Sequence, residues 1–329
     1  MPTHQKRNYE EKIFFTAFIF VVVSAFCLLC GRIGLEQLYS YYISSDGTFG
    51  VIFWDLRLPR LIAAALIGAS LSISGVVFQA MFQNPLVSPN ILGVASGAGF
   101  GAVLCILFSF GAFGISLGAF VGGVVAVSLA YLLGHFTNKN SKLMLVLSGI
   151  IISALFDALI SLAKYTADTE EKLPSIVYWL MGSLSSANWG DLAILAPISL
   201  FGVAVLVAMG WKINILALSG EHAIFLGQGR VLGMIVVLIA TLVTSASICV
   251  GGIVGWVGLL VPHITRLIYG ANHAVLVPMS AVLGAMFLML ADTLARSIST
   301  AEIPLSIITA IIGAPSIAII MIKKAKRWF

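Results

Sequence analysis

The chain has 329 residues, of which 60% are hydrophobic and 9% are charged, and its formal net charge is +5. Because soluble domains carry about 25% charged residues, this composition excludes the ordinary soluble class and is typical of a polytopic helical membrane protein. The net charge sums the residues on both sides of the membrane, so it is informative only once the charged residues are assigned to one side or the other. No nucleic-acid partner is predicted.

Apolar stretches long enough to cross a bilayer recur along the chain. Between Leu61 and Asn138 there is no Asp, Glu, Lys or Arg, and the polar turn 83–90 divides this stretch. Since a crossing needs about 20 apolar residues, the sequence predicts an all-α polytopic membrane protein with about ten transmembrane helices. The predicted crossings are 13–31, 61–82, 91–109, 113–134, 143–163, 192–210, 231–250, 257–269, 275–296 and 305–322. The eighth is too short to cross alone and is predicted to be a broken helix that the protein buries.

Basic residues divide unequally between the two sides of these crossings. With a cytoplasmic N-terminus, twelve of the 18 Lys and Arg residues fall inside and six fall outside, as the positive-inside rule requires. The sequence therefore predicts a cytoplasmic tail at 1–12, one transmembrane domain at 13–322 with a cytoplasmic loop at about 212–230, and a cytoplasmic tail at 323–329.

Glycines four residues apart recur inside the apolar stretches and predict close helix packing. The sets are Gly93/Gly97/Gly101, Gly118/Gly122, Gly229/Gly233 and Gly251/Gly255.

Catalytic motifs are absent from the sequence. There is no phosphate-binding G-x-x-x-x-G-K-[ST] loop and no H-E-x-x-H or G-x-S-x-G pattern. The four Cys residues lie in apolar surroundings and the five His residues are scattered, so no metal site, bound cofactor or enzymatic activity is predicted. Any energy source must then come from elsewhere.

Two acidic residues lie inside predicted crossings and bear on ion coupling. Asp292 precedes Arg296 by four residues, so the two can pair on one helix face. Asp157 either faces a hydrated vestibule or serves as a proton relay. An ion-coupled secondary transporter therefore stays as the alternative class of function.

The loop 212–230 has the pattern of a docking surface. Ser219 can cap a short helix, Glu221 suits its first turn and Gly227 can end it. The small and apolar residues in this segment predict a partner site on the cytoplasmic face. The alternative is an ordinary connecting loop at the membrane interface.

Several stretches resemble the FecCD-type family of iron-siderophore and cobalamin ABC importer permeases. The matching stretches are Leu56-Arg57-Leu58-Pro59-Arg60, Asn84-Pro85-Leu86-Val87-Ser88-Pro89, Trp179-Leu180-Met181-Gly182-Ser183-Leu184, Gly255–His263 with Arg266, Ala291-Asp292 with Arg296, Glu302-Ile303-Pro304 and Ile312-Gly313-Ala314-Pro315. Trp256 stands where Phe is common in the family. The resemblance covers the chain from Arg57 to Pro315, in the family's order.

The resemblance implies the type II ABC importer permease architecture. It implies a homodimer or a paired permease, two cytoplasmic ATPases that use ATP and Mg, and an extracytoplasmic solute-binding protein. The expected location is the bacterial or archaeal cell (inner) membrane, with both termini cytoplasmic. The expected cargo is a metal chelate, most of all a ferric siderophore, with cobalamin, haem and molybdate as alternatives.

The resemblance also assigns roles to particular residues. Arg57, Arg60 and Arg296 would meet acidic residues of the binding protein; alternatively they anchor helix ends or pair internally. Coupling to the ATPases falls to Leu218, Gly220, Glu221, Ala223, Leu226 and Gly227. The transport pathway would be lined from the fifth and tenth crossings, and Ser153, Asp157 and Ser161 are the expected lining residues.

Overall fold

The computed structural model describes residues 3–31, 35–44, 47–137, 142–218, 230–299 and 301–325, and all regular secondary structure in this part of the chain is helical, without strands. Its elements are α1 (Thr3–Leu29), α2 (Leu35–Ser44), α3 (Thr48–Gly50), a π-helical segment (Val51–Arg57), α4 (Leu58–Phe82), a 3-10 turn (Pro89–Leu92), α5 (Val94–Leu107), α6 (Ala112–Thr137), α7 (Lys142–Thr166), α8 (Lys172–Met181), α9 (Trp189–Ala208), α10 (Gly210–Leu216), α11 (Arg230–Gly251), α12 (Val257–Tyr269), α13 (His273–Ser297) and α14 (Leu305–Ala325).

Eight helices among the described residues are long and apolar enough to cross a membrane, and two shorter apolar helices, α5 and α12, accompany them. Together they account for the ten predicted crossings. The predicted start of the second crossing was wrong, because the helix is continuous from Thr48 through α3, the π-helical segment and α4. The prediction began the crossing after the last charge, Arg60, but the protein neutralises that charge internally. The first candidate span, Tyr9–Leu29, lies within α1, which itself begins at Thr3.

Helix α4 lies at the centre of the bundle, where α9, α11, α12 and α13 pack around it. It contacts α13 at Gly68 and Gly284, and α12 at Gly75 and Gly258. A Cβ atom on Gly68 would overlap the carbonyl oxygen of Gly284, and one on Gly75 would overlap that of Gly258. These helices therefore touch backbone to backbone, which maximises van der Waals contact where lipid supplies no hydrophobic drive.

The close approach of α5 and α6 confirms part of the glycine prediction. A Cβ on Gly97 would overlap the Gly122 carbonyl oxygen, and one on Gly101 would overlap that of Gly118. The prediction was wrong for Gly255, whose Cβ would meet nothing within 4 Å. Gly229 lies outside the described residues.

The break between α11 and α12 confirms the predicted short eighth crossing. Helix α11 ends at Gly251 and α12 has 13 residues. A freed carbonyl group bonds within the protein, because Ser183 N–H donates to the Gly251 carbonyl oxygen over 3.1 Å. Gly182 and Gly252 both have positive φ. Non-helical backbone at this depth is tolerated because protein buries it.

We expect Gly75→Ala to lower the free energy of unfolding by about 1–3 kcal/mol, because its Cβ forces α4 and α12 apart. Thermal unfolding in lipid nanodiscs measures the change. The matched control is Gly255→Ala, where the new methyl group enters open space. Equal unfolding temperatures for the two variants would show that the α4–α12 contact is not limiting.

Candidate functional site

A buried charge network joins α4, α13 and the connection before α14. Arg60 holds Asp292 through Nη2 at 2.8 Å and Nε at 3.0 Å, and its Nη1 donates to Glu302 Oε1 over 2.9 Å. The Asp292 side chain is only 3% exposed. A planar guanidinium can bind two carboxylates with paired hydrogen bonds, so each charge is compensated inside the bundle.

Two further arginines bind the end of α1. Arg57 Nη1 donates to the carbonyl oxygens of Leu28 and Leu29 over 3.1 and 2.6 Å, and Arg296 Nη2 donates to the carbonyl oxygen of Cys27. The last carbonyls of a helix have no partners within the helix and carry the negative end of its dipole. The two guanidinium groups therefore cap α1 and connect it to the π-helical segment before α4 and to α13.

The structure thus brings Arg57, Arg60 and Arg296 together, as their shared role predicts, but each is bonded within the chain. Arg57 is 6% exposed and Arg296 is 8% exposed, so a partner's carboxylate reaches them only if the end of α1 moves. The predicted Arg296–Asp292 pair is present at 3.7 Å, yet Arg60 is the closer partner of Asp292. Docking stays a prediction, and the alternative of internal pairing describes the observed geometry.

Sequence reasoning missed Glu302 as a member of this network. The pairing could have been suspected, because Glu302 lies two residues before Pro304 in one of the matching stretches and on the same predicted side of the membrane as Arg60. The separation of 242 residues between Arg60 and Glu302 hid the pairing.

The predicted pathway residues lie along α7 at intervals of four. Asp157 and Ser161 are exposed, whereas Ser153 is partly buried beside Gly93. The hydroxyl groups of Ser153 and Ser161 donate to helix carbonyls four residues earlier, the usual solution for serine in an apolar helix. The role of this face in transport stays a prediction.

The coupling segment is described only at its start. Leu218 follows α10, and the side-chain amide of Gln83, at the end of α4, donates to the carbonyl oxygens of Ala217 and Leu218 over 3.0 and 2.5 Å. The start of the loop is therefore tied to the central helix. The other predicted coupling residues, Gly220, Glu221, Ala223, Leu226 and Gly227, lie outside the described residues.

Comparison with known proteins identifies the family. Residues 16–323 match the FecCD transport family. The chain belongs to the FecCD transport family. The molybdate import system permease protein MolB of Haemophilus influenzae is 38% identical over 97% of both chains. A candidate iron chelatin transport system permease protein of Helicobacter pylori is 40% identical over 87% of this chain and 86% of its own.

Structural comparison gives the same assignment. A solved structure described as an inward-facing conformation of a candidate metal-chelate type ABC transporter has 39% identity and a TM-score of 0.87, over 96% of this chain and 100% of its own. The predicted fold class and family are therefore confirmed. This FecCD protein is the multi-pass permease of an ABC importer for metal-chelate-type substrates, in a family of bacteria and archaea.

The network around Arg60 yields a stability prediction. Arg60→Gln leaves the buried Asp292 carboxylate without its main partner, so we expect a loss of about 3–5 kcal/mol in unfolding free energy. Adding Asp292→Asn removes the stranded charge, so the double variant should lose less than the sum of the single losses. Denaturant unfolding of all three variants measures the coupling, and strictly additive losses would contradict the network.

Proposed function

We propose that this permease works as a homodimer, or with a paired permease, in a complex driven by two cytoplasmic ATPases and supplied by an extracytoplasmic solute-binding protein. The family match over residues 16–323 carries the proposal. The sequence also lacks a phosphate-binding loop motif, so ATP chemistry is expected in separate subunits. Both chain termini and the loop 212–230 would face the cytoplasm, as the distribution of basic residues favours.

For the cargo we propose a ferric chelate of the siderophore type. The Helicobacter pylori relative named for iron chelatin, at 40% identity, supports it. The second candidate is molybdate, because the relative named for molybdate import aligns over 97% of both chains. Cobalamin and haem stay as further candidate cargoes for an importer of this class.

Mechanically, α4 offers a direct route between the two ends of the bundle. Gln83 at one end holds the start of the coupling loop, and Arg60 at the other holds Asp292 and Glu302. The 25 residues of α4 span about 37 Å as a helix. ATP-driven closure of the ATPases would push on the loop at Leu218–Gly227, tilt α4 and loosen the opposite end. Ser153, Asp157 and Ser161 would then line the opening.

Uptake into proteoliposomes tests the proposed function. We expect accumulation of ferric chelate only with co-reconstituted ATPase, binding protein and ATP; molybdate accumulation under the same conditions would select the second candidate. A sodium or proton gradient without nucleotide is the control. Accumulation driven by the gradient alone would favour the ion-coupled secondary transporter and contradict the proposal.

Docking of the binding protein through the outer arginines has its own test. Arg57→Gln keeps a donor for the carbonyl groups of Leu28 and Leu29 but removes the charge. We expect association with the binding protein to weaken about tenfold or more, as for loss of one partner from a close charge pair. Lys164→Gln removes one charge from α7 without touching the network and serves as the matched control. Equal affinities for both variants would assign Arg57 to capping alone.

A further inference from the structure

A small cavity lies between the end of α1 and the two short helices that follow it. It has a volume of about 210 Å³, and its wall consists of Leu29, Leu38, Tyr39, Tyr42 and Phe49. Arg57 donates to the carbonyl oxygen of Leu29, so the cavity lies at the end of the bundle that holds the three arginines. The wall carries no charged side chain, and a ligand here would be recognised by apolar and phenolic groups. Such a site goes beyond the proposed transport function.

Leu29 sets the depth of the cavity in the membrane. The candidate span that ends at Leu29 has 21 residues, and a helix of that length covers about 31 Å. The hydrocarbon core of a bilayer is about 30 Å thick, so a span of this length just crosses it and its ends lie at the two boundaries. The cavity that Leu29 shares with α2 and α3 therefore lies where hydrocarbon meets the headgroups.

An exposed apolar stripe on α1 leads to this cavity. Phe15, Phe18, Val22, Phe26 and Leu29 follow one another at intervals of three or four residues, which places them on one face of the helix. Their exposed fractions lie between 42% and 62%, while α1 packs against α13 and α4. The stripe therefore belongs to the membrane-facing surface, and the cavity continues that surface at its upper end.

Two exposed tyrosines supply hydroxyl groups beside the cavity. Tyr39 and Tyr42 are 66% and 65% exposed, and their spacing of three residues places them on one face of α2. The Tyr42 ring contacts the Phe49 ring edge to face, with the centroids 5.3 Å apart, so α3 holds this part of the wall. Tyrosine is enriched at the membrane boundary because its ring is apolar and its hydroxyl group is polar.

We propose that the cavity binds one phospholipid molecule of the adjoining leaflet. An acyl chain would lie along the stripe, and the methylene groups nearest its ester would fill the cavity beside Leu29 and Leu38. The ester or phosphate oxygens would accept hydrogen bonds from the hydroxyl groups of Tyr39 and Tyr42. The site thus presents apolar and hydrogen-bonding groups in the order in which a phospholipid carries them.

A second copy of this chain fits the surface less well. Membrane helices associate through small residues that let their backbones approach, as α4 does with α12 and α13 at glycines. The stripe instead consists of three Phe residues, a Val and a Leu. Flexible acyl chains can fill the spaces between such large side chains, whereas a rigid helix cannot.

A bound lipid would hold α2 against the end of α1. The carbonyl groups at that end are capped by Arg57 and Arg296, and α2 rests on α3. The methylene groups in the cavity would contact α1 through Leu29, α2 through Leu38 and α3 through Phe49. The lipid would therefore stabilise the connection between α1 and the start of the long helix that contains α4.

Native mass spectrometry of the full chain, titrated with phosphatidylcholine in detergent micelles, tests the site. We expect one lipid per chain to be retained. Tyr42→Ala removes part of the wall and a hydroxyl group and should weaken retention about tenfold, whereas Tyr42→Phe keeps the ring and should weaken it about threefold. Tyr165→Ala is the matched control, because Tyr165 is an 88% exposed tyrosine at the end of α7, outside the cavity wall. It should leave retention unchanged.

A photoreactive lipid locates the bound molecule. Nanodiscs would contain a small share of phosphatidylcholine that carries a diazirine near the ester end of one acyl chain. After illumination we expect more label on Leu29, Leu38 and Phe49 than on Tyr165, because a bound lipid stays at the cavity while surrounding lipids exchange. Tyr42→Ala should bring the label at the cavity down to the level at Tyr165.

Three results would overturn the proposal: no retained lipid, equal effects of Tyr42→Ala and Tyr165→Ala, or label no denser at the cavity than at Tyr165. The other occupants give their own results. Two chains joined by a disulfide through Tyr39→Cys in nanodiscs, without lipid label at Leu38, would assign the surface to a second copy. Loss of the label at Leu38 when a solute-binding protein is added would assign it to that protein.

Discussion

Lipid hydrocarbon offers no hydrogen bonds, and this constraint explains how the buried charges and the free helix ends of the bundle are paired. Arg60 forms ion pairs with two carboxylates, and the free carbonyl groups at the end of α1 accept hydrogen bonds from two guanidinium groups. At the break after Gly251, the carbonyl group of Gly251 accepts a hydrogen bond from Ser183 N–H. Each of these solutions ties together elements far apart in the chain. The buried charges of Arg57, Arg60 and Arg296 therefore contribute contacts that hold distant helices together.

The same constraint gives α4 its central position. It packs backbone to backbone against α12 and α13 at glycine residues. A movement of α12 or α13 relative to α4 would therefore lose these close contacts. Polar anchors sit at both of its ends: Arg60 at one, and Gln79 with Gln83 at the other. A rigid helix held tightly along its length and bonded at both ends transmits displacement better than a chain of flexible loops.

Much of this arrangement could be predicted from the sequence, because span number and close packing depend on local composition. The absence of charge between Leu61 and Asn138 predicts membrane helices, and the spacing of Gly97, Gly101, Gly118 and Gly122 predicts close helix packing, which the structure shows between α5 and α6. The start of the second crossing could not be predicted from local composition, because it depends on the ion pair between Arg60 and Glu302, which are 242 residues apart in the chain.

The internal bonds of Arg60 also bear on how a docking partner would act. A carboxylate from a binding protein could not simply add to Arg60, because Asp292 and Glu302 already occupy its donors. It would have to displace one of them, and Glu302 is the more exposed of the two. Exchanging one carboxylate for another changes the net free energy little, so such docking would supply orientation and specificity more than affinity. Displacement of Glu302 would also break the contact between α4 and the connection from α13 to α14. Binding at the surface would then allow α13 and α14 to move relative to α4.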